Sequence, residues 1–311
     1  MTTIEETILE HHHHHHYDHS ISGGKLLFSV ILNLVITVAQ FAGGLLSGSL
    51  ALLSDALHNF SDVMSLVISY YAHKISHRPQ NIRQTFGFKR AEILAALFNA
   101  SVLIAVSVYL IIESIDRFLH PQAVASMWVM GLALLGIVVN GLSAWLLHRD
   151  ATNNLNIRSA YLHLVGDLMT SVAVLIGGAV MYVYGWFWID PLLSLLISVY
   201  LIRSSYRIVS ESTGMLMQFT PAHISVEMIV DIVKKYPPIE SIHHIHLWQL
   251  NDETIFLEAR LNFHEDMHVS QTTAIIHELS HELEHIGIVH TTFQCEIGNH
   301  GRDTVAEACP H

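Results

Sequence analysis

The sequence predicts a bundle of six membrane-spanning helices followed by a small α+β domain. Of the 311 residues, 51% are hydrophobic and only 14% are charged, and the mean hydropathy is +0.41. The apolar residues are gathered into long runs before about residue 210, whereas the composition afterwards is that of a soluble domain. A helix needs roughly 20 apolar residues to cross a bilayer, and lipid admits only helices or closed barrels. Runs of this length therefore predict helices.

Polar breaks separate the apolar runs and give approximate helix bounds. We place the spans at 25–46, 50–74, 90–117, 126–148, 160–184 and 189–209. Small residues recur in these runs and predict close helix packing. The polar residues Asn33, Gln40, Asn99 and Asn140 either hydrogen-bond between helices or line a water-filled path, and packing is the favoured interpretation.

The distribution of basic residues predicts the orientation of the chain in the membrane. Only Arg117 lies on one side, whereas the opposite side carries many basic residues, which favours a cytoplasmic location for that side and for both termini. The first 24 residues lack the pattern of a cleavable signal peptide, so the first apolar run is the expected insertion signal. A bacterial inner membrane is the expected location of these spans. The basic residues of the cytoplasmic side are Lys25, Lys74, Arg78, Arg83, Lys89, Arg90, Arg149, Arg158, Arg203 and Arg207.

The hydrophobic period changes after residue 210. Val226–Tyr236 and Gln271–His285 have the period of amphipathic helices, and the second places apolar residues along one side. Three segments have the pattern of strands: 241–250, 254–263 and 289–297. The order αββαβ predicts a small α+β layer. The domains are then 1–24, a histidine-rich tail expected to be disordered; 25–210, the membrane domain; 211–297, the cytoplasmic domain; and 298–311, a C-terminal tail.

Charge and composition narrow the partners of this chain. The net charge of −12 falls mostly in the C-terminal part, which argues against nucleic-acid binding and suits a surface that meets cations or simply a solvated one. Two cysteines, Cys295 and Cys309, do not make a disulfide framework. The six histidines at 11–16 are either a purification tag or a native segment that gathers metal ions.

Two of the predicted spans carry ionisable residues in the same spacing. The second contains His58-x-x-x-Asp62 and the fifth His163-x-x-x-Asp167. Residues four apart lie on one face of a helix, and ionisable groups in a span usually mark function. Two imidazole nitrogens and two carboxylate oxygens form a tetrahedral set that suits Zn²⁺ and disfavours Mg²⁺ and Ca²⁺. Imidazoles also take protons near neutral pH, so the pattern indicates an exchanger. The alternative is two unrelated pairs that hold helices together.

Several motifs together resemble the cation diffusion facilitator family, and most closely its zinc-transporter branch. The resemblance extends from about residue 25 to near the end of the chain. The motifs are Leu53-Ser54-Asp55-Ala56 with His58 and Asp62, Phe86-Gly87-Phe88-Lys89-Arg90-Ala91-Glu92, the His163/Asp167 pair, Asp190-Pro191 and His246-Leu247-Trp248.

This resemblance implies a homodimer that exports Zn²⁺ from the cytoplasm in exchange for protons by alternating access. Cd²⁺ is the expected second substrate because it is chemically close to Zn²⁺. It also implies a ferredoxin-like cytoplasmic domain that binds Zn²⁺ as a regulatory ligand and helps to hold the dimer. Asp55 and Glu92 are family motif positions but are not assigned as ligands.

The sequence departs from the family at two further metal sites. Asn81, Gln84 and Phe88 stand where some relatives have ligands, so that site is not carried over, and the neighbouring His73 and His77 are interpreted as solvated. In the C-terminal domain, His243 aligns with a family ligand, whereas Arg260 and Gln294 replace histidines of some relatives. The candidates for a cytoplasmic site are His243, His244, His246, His264, His268 and Glu296, together with Cys295, His300, Cys309 and His311.

Two other classes of protein remain as alternatives. His277-Glu278-Leu279-Ser280-His281 matches the H-E-x-x-H helix of zinc metalloproteases, with Glu278 as the general base and Glu284 or His285 as a third ligand. The motif is short, and a solvated helix face in a domain rich in His and Glu explains it as well. A membrane protein that senses zinc without moving it is the second alternative.

Overall fold

The computed structural model describes residues 20–148, 155–252 and 254–298. The histidines at 11–16 and the candidate ligands His300, Cys309 and His311 lie outside these ranges. The six long helices are α1 Ser20–Ser47, α2 Leu50–Ser76, α3 Ala91–Leu119, α4 Ser126–Leu147, α5 Leu155–Tyr184 and α6 Ile189–Leu216.

Four of the described helices are long and apolar enough to cross a membrane: α3, α4, α6 and the Tyr161–Tyr184 part of α5. Helix α1 contributes a shorter apolar stretch, Ile31–Ser47. Helix α2 has the length to span, but it carries Asp55, His58 and Asp62, which lower its mean hydropathy. The ionisable residues that predict function in α2 are therefore the same residues that make this helix less apolar.

The helices belong to two compact units, and the division passes through α2 and α6. The first unit holds α1, α4 and α5, together with α2 up to Asn59 and α6 up to Leu193. Glycines allow the helices of this unit to approach closely, as the sequence predicted. A Cβ at Gly43 of α1 would lie 1.9 Å from Leu132 Cδ1 of α4, and one at Gly178 of α5 would lie 2.9 Å from Met130 Cγ of α4.

Polar residues within the helices make contacts between helices at two of the four positions singled out in the sequence. Gln40 of α1 donates a hydrogen bond to Asp55 of α2 in the first unit, and Asn99 of α3 donates to Ser65 of α2 in the second. The packing interpretation is confirmed for these two. Asn33 and Asn140 are buried, and within the described part of the chain their Oδ1 atoms have no hydrogen-bond partner.

The second unit contains α3, the rest of α2 and α6, and the C-terminal domain. That domain is built from α7 Val226–Val233, β1 Ile239–Gln249, β2 Ile255–Phe263, α8 Val269–Glu284 and β3 Ile288–Ile297, the predicted order αββαβ. Strand β2 is central: it pairs antiparallel with β1 and parallel with β3. Helix α8 makes the crossover that a parallel pair requires.

The core of the C-terminal domain lies between the sheet and its two helices. Leu257 and Leu261 of β2 and Leu279 and Leu283 of α8 are fully buried at 0% exposure. Ile275, Ile276 and Ile286 pack against the same core, so the apolar side predicted for this helix is confirmed.

A salt bridge joins the segment that follows α7 to α8. Lys235 Nζ contacts Glu282 Oε1, and the Tyr236 hydroxyl donates to Glu282 Oε2 at 3.0 Å. The hydrogen bond from Lys235 lowers the pKa of the Glu282 carboxyl. Burial, together with the hydrogen bond to Glu282, raises the pKa of Tyr236 to about 12.

The loop between α2 and α3 contacts the three-stranded sheet. The Phe86 ring lies 5.5 Å from that of Phe256 in an edge-to-face arrangement, and Phe256 stacks on Trp248 at 4.5 Å. The Arg90 guanidinium lies 5.8 Å from the centre of the Trp248 ring. Aromatic and cation–π contacts of this kind each contribute roughly 0.5–1.5 kcal/mol. The loop is therefore attached to the C-terminal domain inside the second unit.

We expect Leu257→Ala to lower the stability of the C-terminal domain by about 2 to 5 kcal/mol, because the change removes a fully buried side chain and leaves a cavity in the core. Chemical denaturation of the purified full chain measures the change, followed by the fluorescence of Trp248 in a background in which the other four tryptophans are replaced by phenylalanine. Glu258→Ala, one residue further along the same strand and exposed, is the matched control and should stay within about 0.5 kcal/mol of the native protein. Equal losses in the two variants would contradict the described core.

Candidate metal centre

Two helices carry the predicted His-x-x-x-Asp pairs. His58 and Asp62 lie on α2, and His163 and Asp167 lie on α5. Within each pair the spacing of four residues puts both side chains on one helix face, about 6 Å apart along the axis.

The structure brings His58, His163 and Asp167 together in the first unit. His58 Nε2 lies 3.7 Å from Asp167 Oδ1, and His163 Nε2 lies 3.5 Å from Asp167 Oδ2. The imidazole rings are 5.7 Å apart between centroids and nearly perpendicular. Two ligands of a tetrahedral zinc ion, with bonds of about 2.0 Å, lie roughly 3.3 Å apart. The observed separations are close to that value, so these three groups form a cluster that could hold a metal ion.

Burial differs among these residues in a way that fits a site reached from one side. Asp167 is only 2% exposed, whereas 41% of the His163 side chain is accessible. Asp62 belongs to the second unit; it lies one helical turn beyond His58 on the same helix and is half-buried.

Asp55 is held by hydrogen bonds from two other helices. Gln40 of α1 donates to its Oδ2 at 3.0 Å, and the Thr170 hydroxyl of α5 lies 2.9 Å from its Oδ1. The same hydroxyl is 2.9 Å from the Asp167 carbonyl oxygen. Both oxygens of Asp55 therefore meet donors, which indicates that it positions the helices rather than binding metal.

Asp190 holds the beginning of α2. Its carboxylate accepts a hydrogen bond from the Leu50 amide at 2.6 Å and another from the Ser49 hydroxyl. A carboxylate at this point satisfies amides that have no partner within the helix and meets the positive end of the helix dipole. In the sequence, Asp190 stands out only as a motif residue. Thr170 has no distinguishing pattern there, whereas Gln40 stands out because an amide is unusual in an apolar run.

A second group of metal-ligating side chains lies at the other end of α2. His73, His77 and Glu92 place ligand atoms within 4.8 Å of one another, and His73 Nδ1 is 3.0 Å from Glu92 Oε1. The two histidines are exposed, as the sequence predicted. The interpretation that they are merely solvated is nevertheless incomplete, because they contact each other and Glu92 contacts one of them.

The candidates in the C-terminal domain do not converge on one point. His243 Nε2 lies 3.3 Å from Glu296 Oε2, but Arg260 Nη1 lies equally close to the other oxygen of that carboxylate. The Arg260 guanidinium neutralises the negative charge of Glu296, which would otherwise attract a metal ion. His244 and His246 contact each other, with ring centroids 4.7 Å apart. Among the described C-terminal residues, no three candidates gather their ligand atoms within 4.8 Å of one another.

The remaining candidates of this domain are exposed and stand apart. His264 follows the end of β2, and His268 precedes α8, where its amide donates to the Gln271 side chain. Partial burial raises the pKa of the Cys295 thiol, which disfavours the thiolate form that binds metal.

The H-E-x-x-H segment lies on the solvent-exposed face of α8. His277, Glu278 and His281 are all exposed, opposite the buried Leu279 and Leu283. His281 contacts His285, with ring centroids 4.8 Å apart. The described residues do not gather this motif with a third ligand. The geometry therefore favours the solvated-face interpretation.

Two family models match the chain over almost its whole described length. The cation efflux transmembrane domain matches residues 26–217, and the cation efflux protein cytoplasmic domain matches residues 221–297. The apolar helices and the grouped imidazole and carboxylate ligands, together with these matches, define an integral membrane protein that transports cations rather than an enzyme. The chain belongs to the cation diffusion facilitator family, in its zinc-transporter branch.

Curated relatives cover most of the chain. The cadmium, cobalt and zinc/H(+)-K(+) antiporter of Bacillus subtilis is 37% identical over 291 residues, which are 92% of this chain and 94% of the relative. The zinc transporter ZitB of Pectobacterium atrosepticum is 37% identical over 285 residues, 90% of this chain and 88% of its own. ZitB of Escherichia coli is 33% identical over 280 residues, 88% and 87% of the two chains.

We expect Thr170→Val to lower the thermal stability of the detergent-solubilised protein. The change keeps the shape of the side chain but removes the hydroxyl that meets Asp55, at a cost of about 1 to 3 kcal/mol for a buried acceptor that loses its donor. Thr170→Ser keeps the hydroxyl and is the control. Midpoints measured by a scanning fluorescence melt should fall in the order native, serine variant, valine variant; a valine variant as stable as the native protein would contradict this role.

Proposed function

We propose that this protein exports Zn²⁺ from the cytoplasm in exchange for protons, with Cd²⁺ as a second substrate. The observation that supports it most is the approach of two imidazole nitrogens to the two oxygens of one buried carboxylate, at 3.7 and 3.5 Å. The names of the relatives, a cadmium, cobalt and zinc antiporter and zinc transporters, point to the same substrates.

The proposed transport site consists of His58, Asp62, His163 and Asp167. Asp62 is the fourth ligand by its position one turn beyond His58 on α2. Two carboxylates balance the charge of a divalent cation, so the loaded site carries little net charge in a membrane, where an uncompensated charge is costly. The two imidazoles exclude Mg²⁺ and Ca²⁺, which require oxygen ligands.

Protons and metal compete for the same groups in this scheme. An imidazole binds Zn²⁺ only in its neutral form, so a proton on His58 or His163 releases the ion. A site that opens to the cytoplasm loads zinc, and the same site opened to the other side exchanges it for protons. Alternating access of this kind requires α2 and α5 to move as parts of a rocking bundle.

The proposed arrangement in the membrane follows from the basic residues. All six helices α1–α6 span, with the loop 77–90 and both termini in the cytoplasm of a bacterium and the bundle in its inner membrane. Lys74, Arg78 and Arg83 near that loop, against Arg117 at the far end of α3, support this orientation.

The C-terminal domain serves as a dimer contact in this proposal. The match to the cation efflux cytoplasmic domain supports it, and the αββαβ order fits a ferredoxin-like layer. We retain the division into 1–24, 25–210, 211–297 and 298–311. Zinc bound by this domain, with His243 and Glu296 as the nearest candidate pair, would stabilise the homodimer and regulate transport rather than carry it.

Zinc flux into proteoliposomes tests the proposal. The native protein should accumulate Zn²⁺ only under an imposed pH gradient, and Asp167→Ala should lose nearly all uptake because both imidazoles face that carboxylate. Asp116→Ala is the matched control: Asp116 on α3 forms an exposed pair with His120, which directly follows that helix, so this variant should leave flux unchanged.

Two results would overturn the assignment. Uptake by a folded Asp167→Ala variant at the native rate would place the transport site elsewhere. If the native protein takes up zinc at the same rate with and without the pH gradient, proton exchange is contradicted. Gel filtration and a thermal melt of each variant establish that lost flux is not lost folding.

Glu278→Ala separates transport from the metalloprotease alternative. Glu278 is exposed on α8, so we expect the variant to keep the native rate of zinc uptake. The same preparation is assayed for zinc-dependent cleavage of casein. Cleavage by the native protein that disappears in the variant would favour the protease.

A further inference from the structure

We propose that His73, His77 and Glu92 form a second divalent-metal site, of the kind that binds Zn²⁺, where α2 ends and α3 begins. The inference goes beyond the transport function and does not depend on it. All three residues lie in the second unit: His73 is on the last turn of α2, His77 directly follows that helix, and Glu92 is on the first turn of α3.

The geometry of the three side chains is close to that of a coordination sphere. His73 Nδ1 lies 3.0 Å from Glu92 Oε1, and the rings of His73 and His77 are 4.2 Å apart between centroids. One ligand atom from each residue lies within 4.8 Å of the others. Ligands of tetrahedral zinc are roughly 3.3 Å apart, so small rotations of exposed side chains are enough to bind the ion.

Neighbouring groups already orient two of the ligands. Ser76 is buried, with 4% exposure, and its hydroxyl donates to Glu92 Oε1 at 2.6 Å. His77 Nδ1 lies 3.0 Å from the His73 carbonyl oxygen. A ring nitrogen that donates to a carbonyl leaves Nε2 with the lone pair, which is the usual state of a metal-binding histidine. A solvated histidine pair does not require these contacts.

A comparison within the chain shows what is particular about this group. Asp116 on α3 and His120, which directly follows that helix, are also four residues apart and in contact, at 3.2 Å, and both are exposed. The structure describes no third metal-ligating side chain gathered with that pair. Two imidazoles at the end of α2 converge with a carboxylate at the start of α3, which distinguishes the proposed site from an ordinary surface pair.

A cavity of about 400 Å³ opens at this group and gives a cation access to it. His73 and Glu92 line the cavity together with the carboxylates of Glu211 and Asp252. Arg207 offsets the charge of Glu211, with its Nε 2.8 Å from that carboxylate, so the cavity keeps an excess of negative charge. Acidic concave surfaces raise the local concentration of cations. Three protein ligands leave the fourth position to water, which suits an ion that exchanges readily.

The proposed site is separate from the transport site. His73 follows His58 by fifteen residues on one continuous helix, which is about 22 Å along the axis. An ion bound at the far position joins the end of α2 to the start of α3 and cannot belong to the transport site. An ion bound there therefore adds one to the number of zinc ions bound per chain.

Zinc-binding stoichiometry of the purified full chain tests the proposal. All samples carry His11–His16 replaced by glutamine, because that tract would bind zinc by itself, and Asp167→Ala, which removes a ligand of the transport site. We expect His73→Ala/His77→Ala to bind one zinc ion fewer per chain than this parent, measured by titration with a chromophoric zinc chelator. His120→Ala, the matched control, should bind as many as the parent.

Equal stoichiometry in the parent and the His73→Ala/His77→Ala variant would overturn the site. Glu92→Gln provides a second measurement if the double variant does not fold, because glutamine still accepts the Ser76 hydrogen bond while losing the charge. Its zinc affinity at this site should fall at least tenfold, and an unchanged affinity would contradict the proposal. These binding results stand whether or not the protein transports zinc, so failure of one proposal is distinguishable from failure of the other.

Discussion

A carboxylate buried among apolar helices must meet hydrogen-bond donors, because an unmatched charge there costs several kcal/mol as an order of magnitude. Asp55 of α2 meets Gln40 of α1 and Thr170 of α5, so one side chain fixes how three helices sit against each other. His58 follows Asp55 by three residues on α2, and Asp167 precedes Thr170 by three on α5. The contact that satisfies Asp55 therefore also aligns the imidazoles with the Asp167 carboxylate.

The buried carboxylates of the first unit have different surroundings, and these divide their roles. Asp55 faces amide and hydroxyl donors, and Asp190 faces the amides at the beginning of α2. These amides and hydroxyls keep their protons near neutral pH, so the two carboxylates stabilise the helix packing. Asp167 faces His58 and His163, and an imidazole can take up or release a proton, which an amide or a hydroxyl does not do near neutral pH. In the proposed transport site, zinc and protons are therefore exchanged beside Asp167 and not beside Asp55 or Asp190.

Local patterns made most of the fold predictable, and long-range contacts account for what was missed. The helix bounds, the αββαβ order and the two His-x-x-x-Asp pairs follow from hydropathy and helical spacing, which act within a few residues. The hydroxyl of Thr170 meets a residue 115 positions away, Asp190 meets one 141 away, and Glu92 meets His73 across 19 positions. Those pairings depend on how the helices pack, which spacing within one helix does not encode. His73 and His77 were predicted to be exposed but not to meet Glu92 for the same reason.

The contact between the α2–α3 loop and the sheet makes the length of that loop a structural parameter. Surface loops generally accept insertions, because their backbone bears little packing. Here Phe86, within the loop, contacts Phe256, and Arg90, the last residue before α3, contacts Trp248. The loop is therefore attached to the sheet at two points. An epitope or fluorescent protein inserted between Phe86 and Arg90 would break one of these two contacts with the sheet. This connection is therefore a poor place for a label, although it looks like an ordinary polar loop.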